Sequence, residues 1–374
     1  MKRKTETIII TIALLIVVAV GTLYNHTSFV KDRVDLDDRM VDINGTFNKK
    51  AGLRETFRDN GGVILKNGYI AGVYPETSTD YEYKQIRKLK KFLDGNGIDL
   101  LYVNKPTKYT DDKVIAEDLG LESYTNRNAD HFLSRISKAG IHSLDLREKL
   151  NENDSFSYFY RTDHHWTVPA GKEGADAIAS ELEKDFGYEI DHSISDSKNF
   201  RFKTYKSAWL GEQGKKMGRT YVGLDDFTLV TPRFDTSFTV SKRGKTGKTG
   251  PFSKVLVNKK AIKKTLAKKD STEAYHGSSL HYSYNGNKGR IINNGPCCDK
   301  KILVLGDSYD TVTNAFLSLY FRQVDSIIMR TYKKDLHQFI LDNSYDTVIV
   351  SYAQFMIGAH DKEDSANRRM FAFQ

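Results

Sequence analysis

The sequence alternates short apolar runs with segments of helical spacing, and this pattern limits the fold more than any other feature. Apolar runs at Ile98–Val103, Ile141–Leu146 and Thr347–Tyr352 predict strands, and segments at Thr79–Leu93 and Asn128–Ala139 have the spacing of helices. Alternation of this kind is typical of parallel strands, whose crossover helices cover both faces of the sheet. The sequence therefore predicts an α/β fold with a mostly parallel sheet and helices on both faces.

A tight turn with a serine follows another apolar run. Ile302–Leu305 is followed by Gly306–Ser308 and then by a helix-like segment, Thr311–Phe321. A serine at the N-terminus of a helix lies near free backbone N–H groups that can stabilise an oxyanion. The same pattern is also typical of a helix cap after a buried strand, so the turn alone does not identify a nucleophile.

An acid and two histidines follow the aromatic run Tyr158–Tyr160, which we expect to be a strand. Residues i and i+2 of an extended segment point to the same side, so Asp163 and His165 could serve one site while His164 points away. A serine nucleophile needs such a base and such a carboxylate. Two surface histidines beside a capping aspartate would give the same local pattern. Taken together with the distant serine turn, the pattern favours Asp163, His165 and Ser308 as catalytic residues.

These motifs resemble those of the DHHW family of Gram-positive bacteria, relatives of the SGNH-like proteins that O-acetylate alginate and other exopolysaccharides. In that family the acid and base precede the nucleophile in the chain, as they do here. The resemblance implies an SGNH-hydrolase-like fold in which Ser308 forms an acyl-enzyme. It extends from about Gly61 to Gln354 and rests on Asn104–Tyr109, Ala139–Arg147, Tyr160–Thr167, Gly306–Tyr309 and Tyr345–Val350.

Further residues are candidates for substrate binding or for the oxyanion site. Lys105 and Lys108 follow a predicted strand end, where ligands of parallel sheets bind. They either anchor an anionic substrate group or a carboxylate of the site, or they are ordinary loop lysines. Gly211 and Gly214 lie in a glycine loop that the family places near the active site, where it could supply an oxyanion N–H. Tyr352, at the end of the last predicted strand, is a further candidate.

The N-terminal segment predicts a membrane anchor. A basic flank, Lys2–Lys4, precedes the apolar run Thr7–Tyr24, whose length of about 18 residues nearly spans a bilayer core. The flank should stay in the cytoplasm, so the chain beyond it would lie outside the cell. A cleaved signal peptide is the alternative, although Val18–Gly21 is a poor cleavage site. We expect a single-pass protein of the cell membrane with a signal anchor at 1–25, an extracellular connector at 26–60 and a catalytic domain at 61–374 that has an insertion at about 191–295.

Positive charge is concentrated in one segment of that insertion. The chain has a net charge of +9, and Lys242–Lys269 contains no acidic residue. Few aromatic residues are available there for stacking on bases, so we do not expect a nucleic-acid partner. The segment either binds an anionic wall polymer or a phospholipid surface, or it is a solvated loop without a partner. No phosphate loop or zinc-ligand spacing occurs, so we expect no metal or cofactor.

The combined expectation is an extracytoplasmic O-acetyltransferase that passes acetyl groups through Ser308 to a cell-surface polysaccharide. Because acetyl-CoA is not available outside the cell, the resemblance implies a membrane-bound O-acyltransferase as the partner that supplies acetyl. An esterase that removes acetyl groups would use the same residues. A non-catalytic protein that binds wall polymer also stays open, because relatives often carry Asp-x-Arg where this chain has Ile328–Arg330.

Overall fold

The computed structural model describes residues 36–374 apart from 55, 58–61, 150–151, 243–244, 271 and 359–365. Its strands are β1 (Thr56–Phe57), β2 (Gly62–Ile64), β3 (Ile70–Ala71), β4 (Asp99–Lys105), β5 (His142–Asp145), β6 (Phe200–Trp209), β7 (Asp225–Pro232), β8 (Phe238–Ser241), β9 (Lys248–Gly250), β10 (Arg290–Asn293), β11 (Cys298–Gly306), β12 (Phe321–Ile327) and β13 (Thr347–Ala353).

The α-helices are α1 (Leu36–Ala51), α2 (Asp80–Asp94), α3 (Lys113–Leu119), α4 (Thr125–Lys138), α5 (Val168–Phe186), α6 (Gly214–Met217), α7 (Arg219–Val222), α8 (Phe252–Val255), α9 (Lys259–Lys268), α10 (Asp310–Leu317) and α11 (Leu336–Asn343). Short 3₁₀ turns form at Leu146–Lys149, Glu152–Tyr158, His192–Ser195, Ser197–Asn199, Thr272–His276, Leu280–Ser283, Met329–Thr331, Gln354–Met356 and Arg368–Phe371.

One eight-stranded sheet forms the centre of the molecule, with strands in the order β5-β4-β13-β11-β12-β10-β8-β9. The first five strands in this order are parallel to one another. Strands β10, β8 and β9 come from the predicted insertion and add to the β12 edge in antiparallel pairs. The sheet is therefore mixed rather than mostly parallel, because the insertion extends it. Two smaller antiparallel sheets, β1-β2-β3 and β6-β7, lie outside it.

Helices cover both faces of the sheet, as the sequence predicts. Side chains alternate along a strand, so Leu101 and Val103 of β4 pack into one core while Leu100 and Tyr102 pack into the other. Helices α5 and α10 fill the first core, and α2, α4 and α11 fill the second. The parallel strands are buried on both faces, which explains why they read as continuous apolar runs.

Several predicted elements differ from the structure. The aromatic run before Asp163 is not a strand, since Glu152–Tyr158 forms a 3₁₀ turn and Phe159 makes only an isolated bridge to Trp166. The segment 281–292 combines a 3₁₀ turn with β10, which pairs with β8 and β12. The helix after the serine turn ends at Leu317, so the predicted Phe321 already belongs to β12. The lysine-rich segment is folded into β9, α8 and α9.

Helix α1 lies in the predicted connector and packs on the insertion. The Asp42 side chain accepts a hydrogen bond of 2.8 Å from the Thr220 N–H at α7. His276 Nε2 lies 2.9 Å from an Asp38 carboxylate oxygen. No helix within residues 36–374, gaps excepted, is long and apolar enough to cross a membrane. The anchor expected at 1–25 lies outside the described residues and stays a prediction.

Candidate active site

The segment 159–166 is a closed loop that lies over the C-terminal ends of the parallel strands. The Tyr160 N–H donates to the His165 carbonyl at 3.1 Å, which closes the loop. At its start, the Thr162 N–H and hydroxyl both donate to one oxygen of the Asp225 carboxylate, at 2.9 and 2.5 Å. Trp166 is buried at its end, where its indole N–H donates to the Tyr309 carbonyl at 3.3 Å. The loop is therefore held in a bent conformation by contacts at both ends.

The bent loop brings its acid and base to the serine turn. His165 Nε2 lies 2.7 Å from Ser308 Oγ, and His165 Nδ1 lies 2.6 Å from Asp163 Oδ1. The other carboxylate oxygen of Asp163 accepts the Glu212 N–H at 2.9 Å. Asp163 and His165 are fully buried, whereas Ser308 is partly exposed. The structure thus brings together the three residues selected from the sequence, in a continuous hydrogen-bonded chain.

The protonation states suit proton transfer from a serine. Burial raises the pKa of Asp163, but the imidazoles of His165 and His164 and the Glu212 N–H lower it more, so its pKa lies well below the usual value. Burial and the neighbouring His164 lower the pKa of His165 to about 4. At neutral pH, His165 is therefore an uncharged acceptor beside a charged carboxylate.

His164 does not point away, contrary to the expectation for an extended segment. Its ring centroid lies 3.9 Å from that of His165, and its Nδ1 is 3.7 Å from Asp163 Oδ1. The loop is bent, so alternate side chains no longer point to opposite sides. The His164 carbonyl also accepts the Tyr309 hydroxyl hydrogen, which ties the loop to the residue after the candidate nucleophile.

Lys105 holds the serine turn from inside the protein. Its ammonium group donates to Asp307 Oδ1 at 2.7 Å and to Asp310 Oδ2 at 2.5 Å, and the lysine is fully buried. Burial raises the pKa of Asp310 to about 6 although Lys105 opposes this, whereas Lys105 holds the pKa of Asp307 below its usual value against burial. Lys105 therefore anchors carboxylates of the turn and does not reach a substrate.

Lys108 is also a buried structural cation rather than a ligand for an exposed substrate. Its ammonium group donates to the carbonyls of Ile70 and Arg161, at 2.5 and 3.1 Å, and to the Gln213 side chain at 3.3 Å. Burial lowers the pKa of Lys108 to about 7. It joins the β2–β3 hairpin, the bent loop and the glycine loop, and neither lysine is an ordinary loop residue.

The two glycines position the carboxylate instead of facing an oxyanion. The Gly211 N–H donates to the Thr162 hydroxyl and the Gly214 N–H to the Thr162 carbonyl, both at 2.8 Å. Their N–H groups are thus engaged, which corrects the oxyanion assignment. A Cβ on Gly211 would overlap the Thr162 carbonyl, so a glycine allows the close approach that brings the Glu212 N–H to Asp163.

Tyr352 lies outside the site. It is fully buried in the second core, and its hydroxyl donates to the Met370 carbonyl at 2.5 Å. It therefore cannot bind substrate or an oxyanion, and its assignment as a candidate is corrected. Arg330, whose role the sequence left open, makes no hydrogen bond to the described residues of the Asp-His-Ser chain.

Two site residues could not be recognised from the sequence. His281 lies under His165, with ring centroids 4.0 Å apart and ring planes 14° apart, and its Nε2 donates to the Ser308 carbonyl at 2.7 Å. Its Nδ1 atom is buried and has no hydrogen-bond partner in the described part of the chain. Tyr282 lies beside the Ser308 side chain and meets the His165 ring edge-on, with ring centroids 5.4 Å apart. Both come from the 3₁₀ turn at 280–283, and no local spacing links that turn to the serine.

Possible oxyanion donors lie next to the serine itself. The Ser308 N–H has no acceptor among the described backbone groups, and Ser308 lies just before helix α10. The positive end of the helix dipole favours negative charge at this position. The Tyr282 hydroxyl, beside the Ser308 side chain, is a second candidate. These groups replace the glycine loop as candidates for stabilising an oxyanion.

The same cluster contains atoms of the kind that bind metals. Asp163, His164 and His165 place such atoms within 4.8 Å of one another. However, Asp163 Oδ1 and His165 Nδ1 are already bonded to each other, and His165 Nε2 is bonded to Ser308. A metal ion would have to break this chain. We therefore assign the cluster to proton transfer.

Comparison with known proteins shows which kind of domain the chain contains. Residues 75–247 match the family model described as SGNH hydrolase-like domain, acetyltransferase AlgX. The predicted resemblance to SGNH-like proteins is confirmed. The matched range includes Asp163 and His165 and ends before Ser308 and His281. The match therefore does not cover the candidate nucleophile.

Curated relatives match part of the chain. It is 28% identical over 111 residues to the alginate biosynthesis protein AlgX of Pseudomonas aeruginosa, which is 29% of this chain and 23% of that protein. It is 25% identical over 171 residues to AlgX of Pseudomonas syringae pv. tomato, which is 44% of this chain and 34% of that protein. The alignments span about a third or less of the length of these relatives.

Solved structures share the fold over most of the chain. Bacillus cereus PatB1, solved with a sulfonyl adduct, superposes with a TM-score of 0.62 and 15% identity over 86% of this chain and 100% of that one. A DHHW family protein from Eubacterium siraeum superposes with a TM-score of 0.60 and 14% identity over 84% of this chain and 97% of that one. At these identities the comparison shows a common fold.

Proposed function

We propose that this SGNH-like protein transfers acetyl groups from an activated donor to hydroxyl groups of a polysaccharide outside the cytoplasm. The observation that carries the proposal is the hydrogen-bonded chain from Ser308 Oγ through His165 to Asp163. An intact chain favours catalysis over a binding protein whose catalytic geometry has decayed. The description of the matched family model names an acetyltransferase, and the curated relatives are named for the biosynthesis of the polysaccharide alginate.

The first half of the proposed reaction forms an acyl-enzyme. His165 Nε2 takes the proton of Ser308 as the serine oxygen attacks the acetyl carbonyl carbon. The negative charge that develops on the carbonyl oxygen is stabilised by the Ser308 N–H and the Tyr282 hydroxyl. When the bond to the leaving group breaks, His165 gives that group its proton. Asp163 stabilises the imidazolium and fixes the tautomer with Nδ1 protonated.

The second half delivers the acetyl group. A sugar hydroxyl gives its proton to His165 Nε2 and attacks the acyl carbon, and the bond to the Ser308 oxygen breaks as the serine regains a proton. Water reacts in the same way, so an esterase would use identical residues. Transfer requires that binding hold a sugar hydroxyl near the acyl group at a high effective concentration. The proposal also includes the N-terminal membrane anchor and a membrane-bound O-acyltransferase that supplies acetyl on the outer side.

The experiment separates transfer from hydrolysis. Purified protein is incubated with a small acetyl ester and with oligosaccharide from the surface polysaccharide of the host, and the sugar is analysed by mass spectrometry. We expect acetylated oligosaccharide with wild-type protein and none with Ser308→Ala. Loss of acetyl groups from native polymer would instead make the protein an esterase. Absence of both reactions would contradict an enzymatic function.

A further inference from the structure

The lysine-rich segment forms the walls of two adjoining surface clefts. The first cleft has a volume of about 850 Å³ and lies between the β6–β7 ribbon and α9. The second has a volume of about 840 Å³ and lies between α9 and the β8–β9 hairpin. Ser253 and Lys259 line both clefts, so they form one connected surface. We call this connected surface the basic cleft pair.

Every charged side chain that lines the basic cleft pair is positive. Arg201, Lys203 and Lys263 line the first cleft, and Lys248 and Lys254 are among the lysines of the second. Among the residues that the structure describes, none of these five makes an ion pair with a carboxylate. The charge of the cleft pair is thus not neutralised by the protein itself.

The lysines of helix α9 occupy unfavourable positions for positive charge. Ile262 and Thr265 are buried and fix the helix on the protein, while Lys259, Lys260 and Lys263 are exposed. Lysines at the N-terminus of a helix are unfavourable because that end carries a partial positive charge. Like charges four residues apart, as at 259 and 263, add repulsion. A polyanion in the clefts would relieve both effects.

The second cleft is connected to the candidate active site by a short stretch of chain. Asn285 lines the cleft, and its N–H donates to the Leu256 carbonyl at 2.9 Å. The next residue, Gly286, donates its N–H to the Thr311 carbonyl in the first turn of α10, at 3.0 Å. Asn287 then donates to the Asp307 carbonyl at 2.6 Å. The stretch that forms a cleft wall therefore also holds the turn that presents Ser308.

We infer that the basic cleft pair binds the acceptor as an anionic glycan, a chain with carboxylate or phosphodiester groups repeated along its length. This inference rests on the proposed function, because that function identifies the bound glycan as the acceptor of acetyl groups. Two connected clefts suit a polymer with repeated charges better than one small anion. Single-stranded nucleic acid would need several stacking aromatics, and Tyr205 is the aromatic residue of the described lining. A membrane surface would need an exposed apolar face rather than concave clefts.

Binding is measured with the full-length protein in detergent, by titration calorimetry with polygalacturonate and with neutral dextran. The test variant is Lys259→Gln/Lys263→Gln. The control is Lys84→Gln/Lys88→Gln, which removes the same charge from an exposed i,i+4 pair on α2. We expect polygalacturonate to bind wild-type protein with a salt-sensitive affinity. The test variant should lose roughly two- to thirtyfold, as expected for two exposed ion pairs, while the control stays near wild type.

The outcomes distinguish this inference from the proposed function. Equal losses in the test variant and in the control would show unspecific charge attraction and overturn the inference. Absence of polygalacturonate binding would also overturn the inference. Binding of an oligonucleotide or of anionic vesicles by a protein that does not bind polygalacturonate would overturn it as well. Hydrolysis of a small acetyl ester should be unchanged in the test variant, because the clefts do not include Ser308. If the protein binds the polymer specifically but neither transfers nor hydrolyses acetyl groups, the proposed function is refuted and the assignment of the clefts as a polymer-binding site is retained.

Discussion

Replacing Lys105 by methionine tests how the serine turn is held. The ammonium group lies within 2.7 Å of the Asp307 carboxylate and 2.5 Å of the Asp310 carboxylate, and all three side chains are at most 1% exposed. Removing one partner of a buried ion pair costs about 3–5 kcal/mol, because the remaining charge is left without compensation. Since a folded domain is stable by only about 5–15 kcal/mol, Lys105→Met should remove a large part of the free energy of unfolding.

The loss should depend on pH in a defined direction. The folded-state pKa of Asp310 is raised from 3.8 to about 6 by burial, and removing Lys105 would raise it further. A carboxyl whose folded pKa is raised contributes stability at low pH and loses it as the pH rises through the folded pKa. The deficit of Lys105→Met should therefore be smaller at about pH 5 than at about pH 8. Adding Asp310→Asn should recover part of the stability at the higher pH.

Urea unfolding followed by tryptophan fluorescence measures these differences. Lys206→Met is the matched control, because Lys206 lies 2.7 Å from Asp226 in an exposed pair and should matter little. If the free energy of unfolding of Lys105→Met lies within about 1 kcal/mol of the wild-type value, Lys105 does not stabilise the turn as a buried ion pair, because so small a difference is typical of an exposed pair. A deficit that grows as the pH falls would refute this role of Lys105 as well.

Two further predictions concern the support of the base. Gly211→Ala should lower kcat/KM for a small acetyl ester by more than about tenfold, because the added Cβ would overlap the Thr162 carbonyl. Gly95→Ala is the control and should keep wild-type activity, because a Cβ at Gly95 makes only ordinary van der Waals contacts. Equal activity of the two variants would contradict the close approach at Gly211. His281→Phe keeps a ring against His165 but loses the hydrogen bond to the serine carbonyl, so kcat should fall by about two- to tenfold. Activity of His281→Phe should still fall only as the pH drops through about 4, where His165 is protonated. In His281→Ala, water enters beside His165, so the loss of activity should begin at a higher pH. A wild-type protein that loses activity near pH 6.5, the pKa of a free histidine, would contradict the buried base.

The parallel core was predictable because its signals are local. Buried parallel strands read as continuous apolar runs, and the segments predicted as strands at 98–103 and 347–352 became β4 and β13. The bounds of helix α5 also have local signals, since Thr167 caps its first turn and Gly187 ends it in a left-handed conformation. The Asp-His-Ser order was readable because His165 comes shortly before helix α5 and Ser308 shortly after the buried strand β11.

The remaining features depend on contacts between distant parts of the chain. The bend that turns His164 toward His165 is set by Asp225, which accepts hydrogen bonds from Arg161 and Thr162 at sequence separations of 64 and 63 residues. Likewise, β10 became a sheet strand through partners in β8 and β12, and this pairing left His281 in a 3₁₀ turn at the serine. No periodicity in the sequence encodes such pairings.

If Ser308 is a nucleophile that His165 activates, it should react with a covalent label for activated serines. Protein is treated with a fluorophosphonate, and peptides are mapped by mass spectrometry in wild type, Ser308→Ala and His165→Ala. We predict an adduct on the Ser308 peptide in wild type, no adduct at that position in Ser308→Ala, and labelling slower by several orders of magnitude in His165→Ala. An unlabelled Ser308 in folded wild-type protein, or equal labelling rates in wild type and His165→Ala, would contradict the account.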